Sequence, residues 1–362
     1  MTIEKIYQPS REIYEKYILE NKPFIITGIV ENWKCYQIWK PEYLLNKVGD
    51  SKIPVRELGY EVGEWLGKTT EISFKEFLES WIRERDNLSL NQPQLQQPKY
   101  YLASIPVYKY LKELENDYEV PEIPKEQDKS ANLWVGSKGQ VTHLHHDWST
   151  GDPGMDGLHA IISGRKLFKL YDPELNIECF KRKSEWGLFH QALVDVENPD
   201  YEKYPEFRKA VGIDVVLEQG EMLFIPKLWW HYVRTLEHSI SLNFWFQHMG
   251  SEYLKLTKHW GLVQEYIQTV YTMNISKERM HSLLLYFGSF NKSYPLTADI
   301  VQDYLSNPIK FISQPKFISS FSNAINNPNV KDKDLAQKFK KEIIEKVTEW
   351  VENKRLSLSN IQ

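Results

Sequence analysis

The feature that most constrains this chain is a series of short, evenly spaced strand-like runs between residues 131 and 247. NLWVGS, VTHLHHD, LHAIISG, KLFKLYD, MLFIP, HYVRTL and ISLNFWFQ are rich in β-branched and aromatic residues and are cut by Gly, Pro and Asp turns. Such spacing predicts an antiparallel barrel or jelly roll. The flanks read differently. Residues 10–22 predict a helix that stops before Lys22-Pro23, and PFIITGIV predicts a buried strand. KPEYLLNKVG predicts a short helix closed by Gly49. SKIPVREL and TEISFKEFLESWIRERD together predict a strand followed by an amphipathic helix. Residues 88–99 form a Pro/Gln-rich loop, and YYLASIPV resumes an extended pattern. After about residue 250, Tyr253, Leu256, Trp260, Val263, Ile267 and Val270 recur at helical intervals. A last amphipathic helix is expected around 332–353, with Leu335, Phe339, Ile343, Val347, Trp350 and Val351 on one stripe. The expected architecture is mostly β with α: a double-stranded β-helix (jelly roll) with N-terminal α/β elements and C-terminal helices. Residues 1–249 are expected to form one unit, with its barrel at about 98–249, and residues 250–362 a helical region.

With 362 residues and 41% hydrophobic content, the chain can bury a full core. Its net charge is −4 and no basic block stands out, which disfavours nucleic-acid binding as the main activity. The only two cysteines, Cys35 and Cys179, form no CxxC pair, so neither a disulfide scaffold nor a cysteine-ligated zinc is expected. The N-terminal MTIEKIYQPSREIYEKY lacks a signal-peptide pattern, and no window approaches the ~18 apolar residues of a membrane span. A soluble, cytoplasmic protein is the expectation.

The chemistry concentrates in Val141-Thr142-His143-Leu144-His145-His146-Asp147. Alternate side chains on a strand share a face at roughly 6.8 Å spacing. Strict alternation therefore places His143, His145 and Asp147 on one face and Leu144 and His146 on the other. A His-x-Asp pair joined by a distant histidine makes a 2-His-1-carboxylate triad, which leaves positions open on iron(II). Gly220–Pro226 followed by Trp229-Trp230-His231 supplies that histidine from a returning strand. A rival triad of His143, His145 and His231 would be a more generic cupin-type metal site. His143 and His146 also fit as core or loop histidines. His159, His190, His238 and His248 lack ligand spacing, although His159 can border the site.

Three motifs occur in order: Thr-x-x-His-x-Asp at 142–147, Gly-x-Lys at 164–166 and Ile-Pro-x-x-Trp-Trp-His at 225–231. Together with KPFIITGIVENW and ISLNFWF, they resemble the JmjC/cupin-type Fe(II)/2-oxoglutarate oxygenases. The likeness covers roughly residues 20–50 and 98–248 and is closest to asparaginyl hydroxylases of the factor-inhibiting-HIF type. The resemblance implies a hydroxylase that uses Fe(II), 2-oxoglutarate and O2 and releases succinate and CO2. It places the metal on His145, Asp147 and His231. It assigns Lys166 to the distal carboxylate of 2-oxoglutarate, helped by Thr142 and Tyr101, with Tyr100 as the neighbouring alternative. Asn243 falls near the cosubstrate, and Arg165 is left as a surface charge. It further implies a homodimer built through the C-terminal helices.

The chain departs from that pattern in two places. An asparagine expected near Gly157 is missing, and Trp148–Asp156 forms an apparent insertion at the barrel mouth, suited to a lid. A peptide or protein substrate is the leading expectation. A small-molecule or amino-acid substrate is next, then a non-enzymatic cupin-like scaffold. A demethylase or RNA-modifying oxygenase is disfavoured because reader modules and basic patches are lacking.

Overall fold

The computed structural model describes residues 3–57, 68–89, 99–126, 130–147, 155–173, 175–176, 179–180, 182–183 and 188–246. The N-terminal elements are β1 (Lys5–Tyr7), α1 (Arg11–Glu20), β2 (Phe24–Thr27), α2 (Lys34–Ile38), α3 (Pro41–Val48), β3 (Lys52–Glu57), β4 (Thr69–Ser73) and α4 (Phe74–Ser89). They lead to β5 (Tyr100–Pro106) and the short helices α5 (Val107–Tyr110) and α6 (Glu122–Glu126). The rest is strand: β6 (Asn132–Gly136), β7 (Val141–His145), β8 (Asp156–Ser163), β9 (Lys166–Tyr171), β10 (Arg182–Lys183), β11 (Leu188–Ala192), β12 (Gly212–Leu217), β13 (Met222–Ile225), β14 (Trp230–Thr235) and β15 (Ser239–Phe246).

The seven strand-like runs correspond to β6, β7, β8, β9, β13, β14 and β15. α1 stops as expected: Asn21 adopts the left-handed conformation (φ 51°), and its N–H closes the helix on the Ile18 carbonyl. The segment before α4 needs a correction. TEIS is not the first turn of the helix but a strand of its own, antiparallel to β3 with Ile72 opposite Ile53. Its β-branched residues fit a pleated surface. The helix begins only after Ser73, whose Oγ accepts the Glu76 N–H at 3.1 Å and caps the first turn.

Two sheets make the jelly roll. The larger runs β1-β2-β13-β8-β15-β6-β5-β3-β4 and the smaller runs β10-β11-β7-β14-β9-β12. Among the described strands only β1 and β2 pair in parallel.

Alternation sorts the apolar side chains into three layers. Phe24, Phe224, Leu242 and Phe244 face outward from the large sheet and are covered by the N-terminal helices through Trp33, Phe74 and Phe77. Ile161, Phe168, Leu217, Leu223 and Val233 interdigitate between the sheets. Leu144, Tyr171, Trp230 and Tyr232 lie on the far side of the small sheet, under Phe180 and Phe207. The central strands are thus buried on both faces, which explains their nearly continuous apolar sequences.

Among the described residues no helix is long and apolar enough to cross a membrane. Both expected C-terminal helices, the 249/250 boundary and residues 148–154 of the insertion lie outside the described residues.

Candidate metal centre and its pocket

β7 and β14 are neighbours in the small sheet, and their register sets His231 directly opposite His145. Their ring centroids are 4.2 Å apart. Asp147 follows two residues after the end of β7, and its Oδ1 is 3.7 Å from Nε2 of each histidine. The three ligand atoms lie within 4.8 Å of one another, and among the described residues no other group of three or more His, Cys, Asp and Glu is so placed. Each imidazole is anchored from behind. Nδ1–H of His145 donates to the His143 carbonyl at 2.7 Å, and Nδ1–H of His231 donates to the Trp229 carbonyl at 3.1 Å. That tautomer turns the Nε2 lone pairs toward Asp147, as metal-binding histidines are held. Burial, reinforced by the neighbouring His231, holds the pKa of His145 well below the ordinary histidine value, so its ring is a neutral donor.

Strict alternation fails along β7. Between His231 and Val233 the partner strand runs from His145 to Thr142, so two residues of β7, His143 and Leu144, oppose the single Tyr232 of β14. This bulge turns two consecutive residues to the same side. Leu144 packs in the outer cluster and His143 lies edge-on to Tyr232 at 6.5 Å. His143 therefore does not share a face with His145 and Asp147, contrary to the simple strand pattern. The triad of His143, His145 and His231 is excluded by this placement. The same bulge brings Thr142 round to the side of His145.

A cavity opens onto the triad and is also lined by Tyr101, Thr142, Lys166 and Asn243. Lys166 begins β9 after a tight turn at Gly164 (φ 78°), where an added Cβ would come within 2.3 Å of the His238 carbonyl. Its side chain is almost fully buried, and its amino group donates to Ser241 Oγ at 2.9 Å. Burial lowers its pKa from 10.5 to about 7. Arg165, one residue earlier, points outward and pairs with Glu237 at 2.8 Å. Tyr101, not Tyr100, faces the cavity: Tyr100 belongs to the helix-covered core. The Tyr101 hydroxyl and Thr142 Oγ1 share a hydrogen bond at 3.3 Å, linking the two sheets. Asn243 Oδ1 accepts from Trp134 Nε1 at 2.6 Å, which fixes the amide.

The remaining histidines divide by strand face. His146 meets the edge of Trp230 at 4.9 Å and lies 6.4 Å from His190, away from the cavity. His238 packs on Trp81 at 5.3 Å. His248 is outside the described residues. His159 lies in the cavity wall.

Sequence reasoning missed the aromatic walls, Trp134, Phe168 and Trp245, and the function of Gly157 as a gap. A Cβ at Gly157 would lie 3.4 Å from Asp147 Oδ2 and 3.6 Å from the Trp245 ring. Their signal was present, because each occupies the inward position of a strand whose neighbours point outward. The inserted loop leaves from Asp147 and returns beside it, since the Met155 N–H donates to the Asp147 carbonyl at 3.2 Å.

The donor set suits a hard or borderline divalent ion: two neutral imidazole nitrogens and a carboxylate, with no thiolate. The pocket around it suits an anion, because a buried lysine whose one hydrogen-bond acceptor among the described residues is a hydroxyl favours a carboxylate partner.

Residues 10–252 match the model of the cupin-like domain. The chain belongs to the cupin-like domain family. Within it, the chain is 47% identical to JmjC domain-containing protein C of Dictyostelium discoideum, over 99% of this chain and 98% of that protein. It is 31% identical to lysine-specific demethylase 8 of Xenopus tropicalis, over 67% of this chain and 52% of that protein. It is 29% identical to tRNA wybutosine-synthesizing protein 5 of Danio rerio, over 60% of this chain and 67% of that protein. This cupin-like chain thus spans about half the length of the demethylase. The domain match ends six residues beyond β15, leaving most of 250–362 outside it.

Proposed function

We propose that this chain is an Fe(II)- and 2-oxoglutarate-dependent oxygenase that hydroxylates a peptide or protein side chain. The observation that carries the reading is the meeting, in one cavity, of His145, Asp147 and His231 with the buried amine of Lys166. In this reading the triad holds Fe(II). Bound together there, iron and 2-oxoglutarate supply the oxidising chemistry: one atom of O2 ends in succinate, with loss of CO2, and the other in the substrate hydroxyl. The chain's own residues bind, orient and exclude water. Lys166 holds its proton against the distal carboxylate, and Thr142 and Tyr101 add hydrogen bonds to it. Asn243, locked by Trp134, lies beside the cosubstrate. Trp134, Phe168 and Trp245 keep the cavity dry, which strengthens each polar contact inside it.

The likeness to asparaginyl hydroxylases leaves the modified side chain open. The names of the relatives favour a second reading on the same chemistry. One is called a lysine-specific demethylase, and hydroxylating an N-methyl carbon gives a product that loses formaldehyde. A small-molecule substrate is the further reading, because the chain re-enters the described structure at Met155, hydrogen-bonded to the Asp147 carbonyl beside the pocket.

Anaerobic addition of Fe(II) and 2-oxoglutarate is expected to give a weak visible charge-transfer band in the wild type and none in His145→Ala or Asp147→Ala. A band that persists without either ligand would overturn the assignment. Product mass then separates the substrate readings: a peptide gaining one oxygen marks hydroxylation, while formaldehyde release marks demethylation.

A further inference from the structure

Among the described residues, His159 is the one histidine in the cavity wall outside the triad. It sits on β8 with its strand partner Asn243 on β15, so the two polar side chains stand side by side on the large sheet, across the cavity from the small sheet. Its ring packs edge-on to Phe168 at 5.2 Å and lies 6.4 Å from Trp134. Aromatic contacts of this kind fix the plane of an imidazole but satisfy neither nitrogen. Nε2 of His159 is buried and has no hydrogen-bond partner among the described residues. Such an atom costs about 1–3 kcal/mol unless something in the pocket completes it. The aromatic neighbours offer no acceptor, and Lys166 once it carries its proton against a carboxylate is only a donor. A carboxylate held by Lys166 would be that acceptor.

We propose that His159 is a positioning residue for the acidic cosubstrate, donating Nε2–H to a carboxylate oxygen of 2-oxoglutarate. The inference rests on the oxygenase reading and adds a binding group to it. A neutral imidazole suits the task, because it donates without adding a second charge beside Lys166. Burial first, and then the nearby Lys166, keep its pKa well below the ordinary histidine value. The position also bears on the missing asparagine near Gly157. Gly157 precedes His159 by one inward-facing position on β8, so the polar group absent at one position of that strand is present at the next.

The test titrates 2-oxoglutarate into the full Mn(II)-loaded chain by calorimetry, comparing the wild type with His159→Phe, His159→Gln and Lys166→Ala. Phe keeps the ring contact with Phe168 and removes the donor, whereas Gln restores a donor. His159→Phe is expected to weaken 2-oxoglutarate about tenfold, the loss of one hydrogen bond to a charged group, and His159→Gln to recover most of that. Mn(II) affinity stays unchanged in both, and the melting temperature of the ligand-free protein does not fall, because His159→Phe removes a buried unpartnered atom. Wild-type affinity in His159→Phe, with Lys166→Ala weakened, would overturn the role of His159 and leave the oxygenase reading standing. No binding by the wild type would overturn both.

Discussion

Lys166 shows how one residue couples the pocket to pH. Its pKa is lowered from 10.5 to about 7 by burial. Between those values the unfolded chain holds a proton that the ligand-free native chain has lost, so native stability rises with pH across that interval. A bound dicarboxylate reverses the preference, because the charged amine now has a partner. Affinity for 2-oxoglutarate is therefore expected to be greatest below pH 7 and to fall as pH rises above it. Binding at pH 8 is expected to take up a proton, seen as a calorimetric enthalpy that changes with the ionisation heat of the buffer. Lys166→Met should bind more weakly and abolish that buffer dependence. A buffer dependence equal to the wild type in the variant would assign the proton elsewhere. This coupling was only half legible in the sequence. Gly-x-Lys marked the lysine, but its degree of burial and its hydroxyl partner Ser241, 75 positions away, are products of the fold.

At the scale of elements, the bulge in β7 decides the pocket. Thr142 and His145 are three positions apart, and on a regular strand they would face opposite ways. The extra residue opposite β14 puts both into the cavity and sends His143 and Leu144 out. Nothing in VTHLHHD announces the bulge, because register depends on the partner strand. β5 has a similar irregularity: its register to β6 shifts between Leu102 and Ile105, and Ser104 there adopts a positive φ of 55°. These strands meet at the hydrogen bond between Tyr101 and Thr142. Thr142→Val and Tyr101→Phe are each expected to weaken 2-oxoglutarate several-fold, on the order of 1 kcal/mol. The double variant is expected to lose less than the sum, since each single change already breaks the shared bond. Strictly additive losses in a calorimetric double-mutant cycle would show that the two hydroxyls act independently.

For the whole molecule, the site depends on both sheets being pinned from outside. β15 carries Asn243 inward and Leu242 and Phe244 outward into the core capped by the N-terminal helices. Phe244 is fully buried and lies 6.0 Å from Trp33 and 6.1 Å from Tyr118, ring to ring. Phe244→Ala should cost about 3–5 kcal/mol, read from the urea midpoint at unchanged slope. A loss under about 1 kcal/mol would mean that the helices cap the sheet only loosely. The N-terminal α/β elements are thus part of the barrel's foundation, consistent with a domain match that starts at residue 10. We further propose that residues 250–362 make a homodimer. Sedimentation at micromolar concentration should give twice the 42.9 kDa chain mass, and a deletion of 332–353 should give the monomer.

By itself the sequence determined seven of the barrel strands and their order, because inward and outward side chains must alternate and turns need Gly, Pro or Asp, but it did not mark β10, β11 or β12. It also narrowed the donors to the histidines and aspartate of those motifs, and the β7 bulge then removed the all-histidine alternative. The rest was decided by tertiary structure. Which tyrosine faces the pocket, why His143 leaves it and why Thr142 enters all depend on strand register, a property of pairs of strands. That His159 faces the pocket without a partner depends on the second sheet closing over it, which no local pattern encodes.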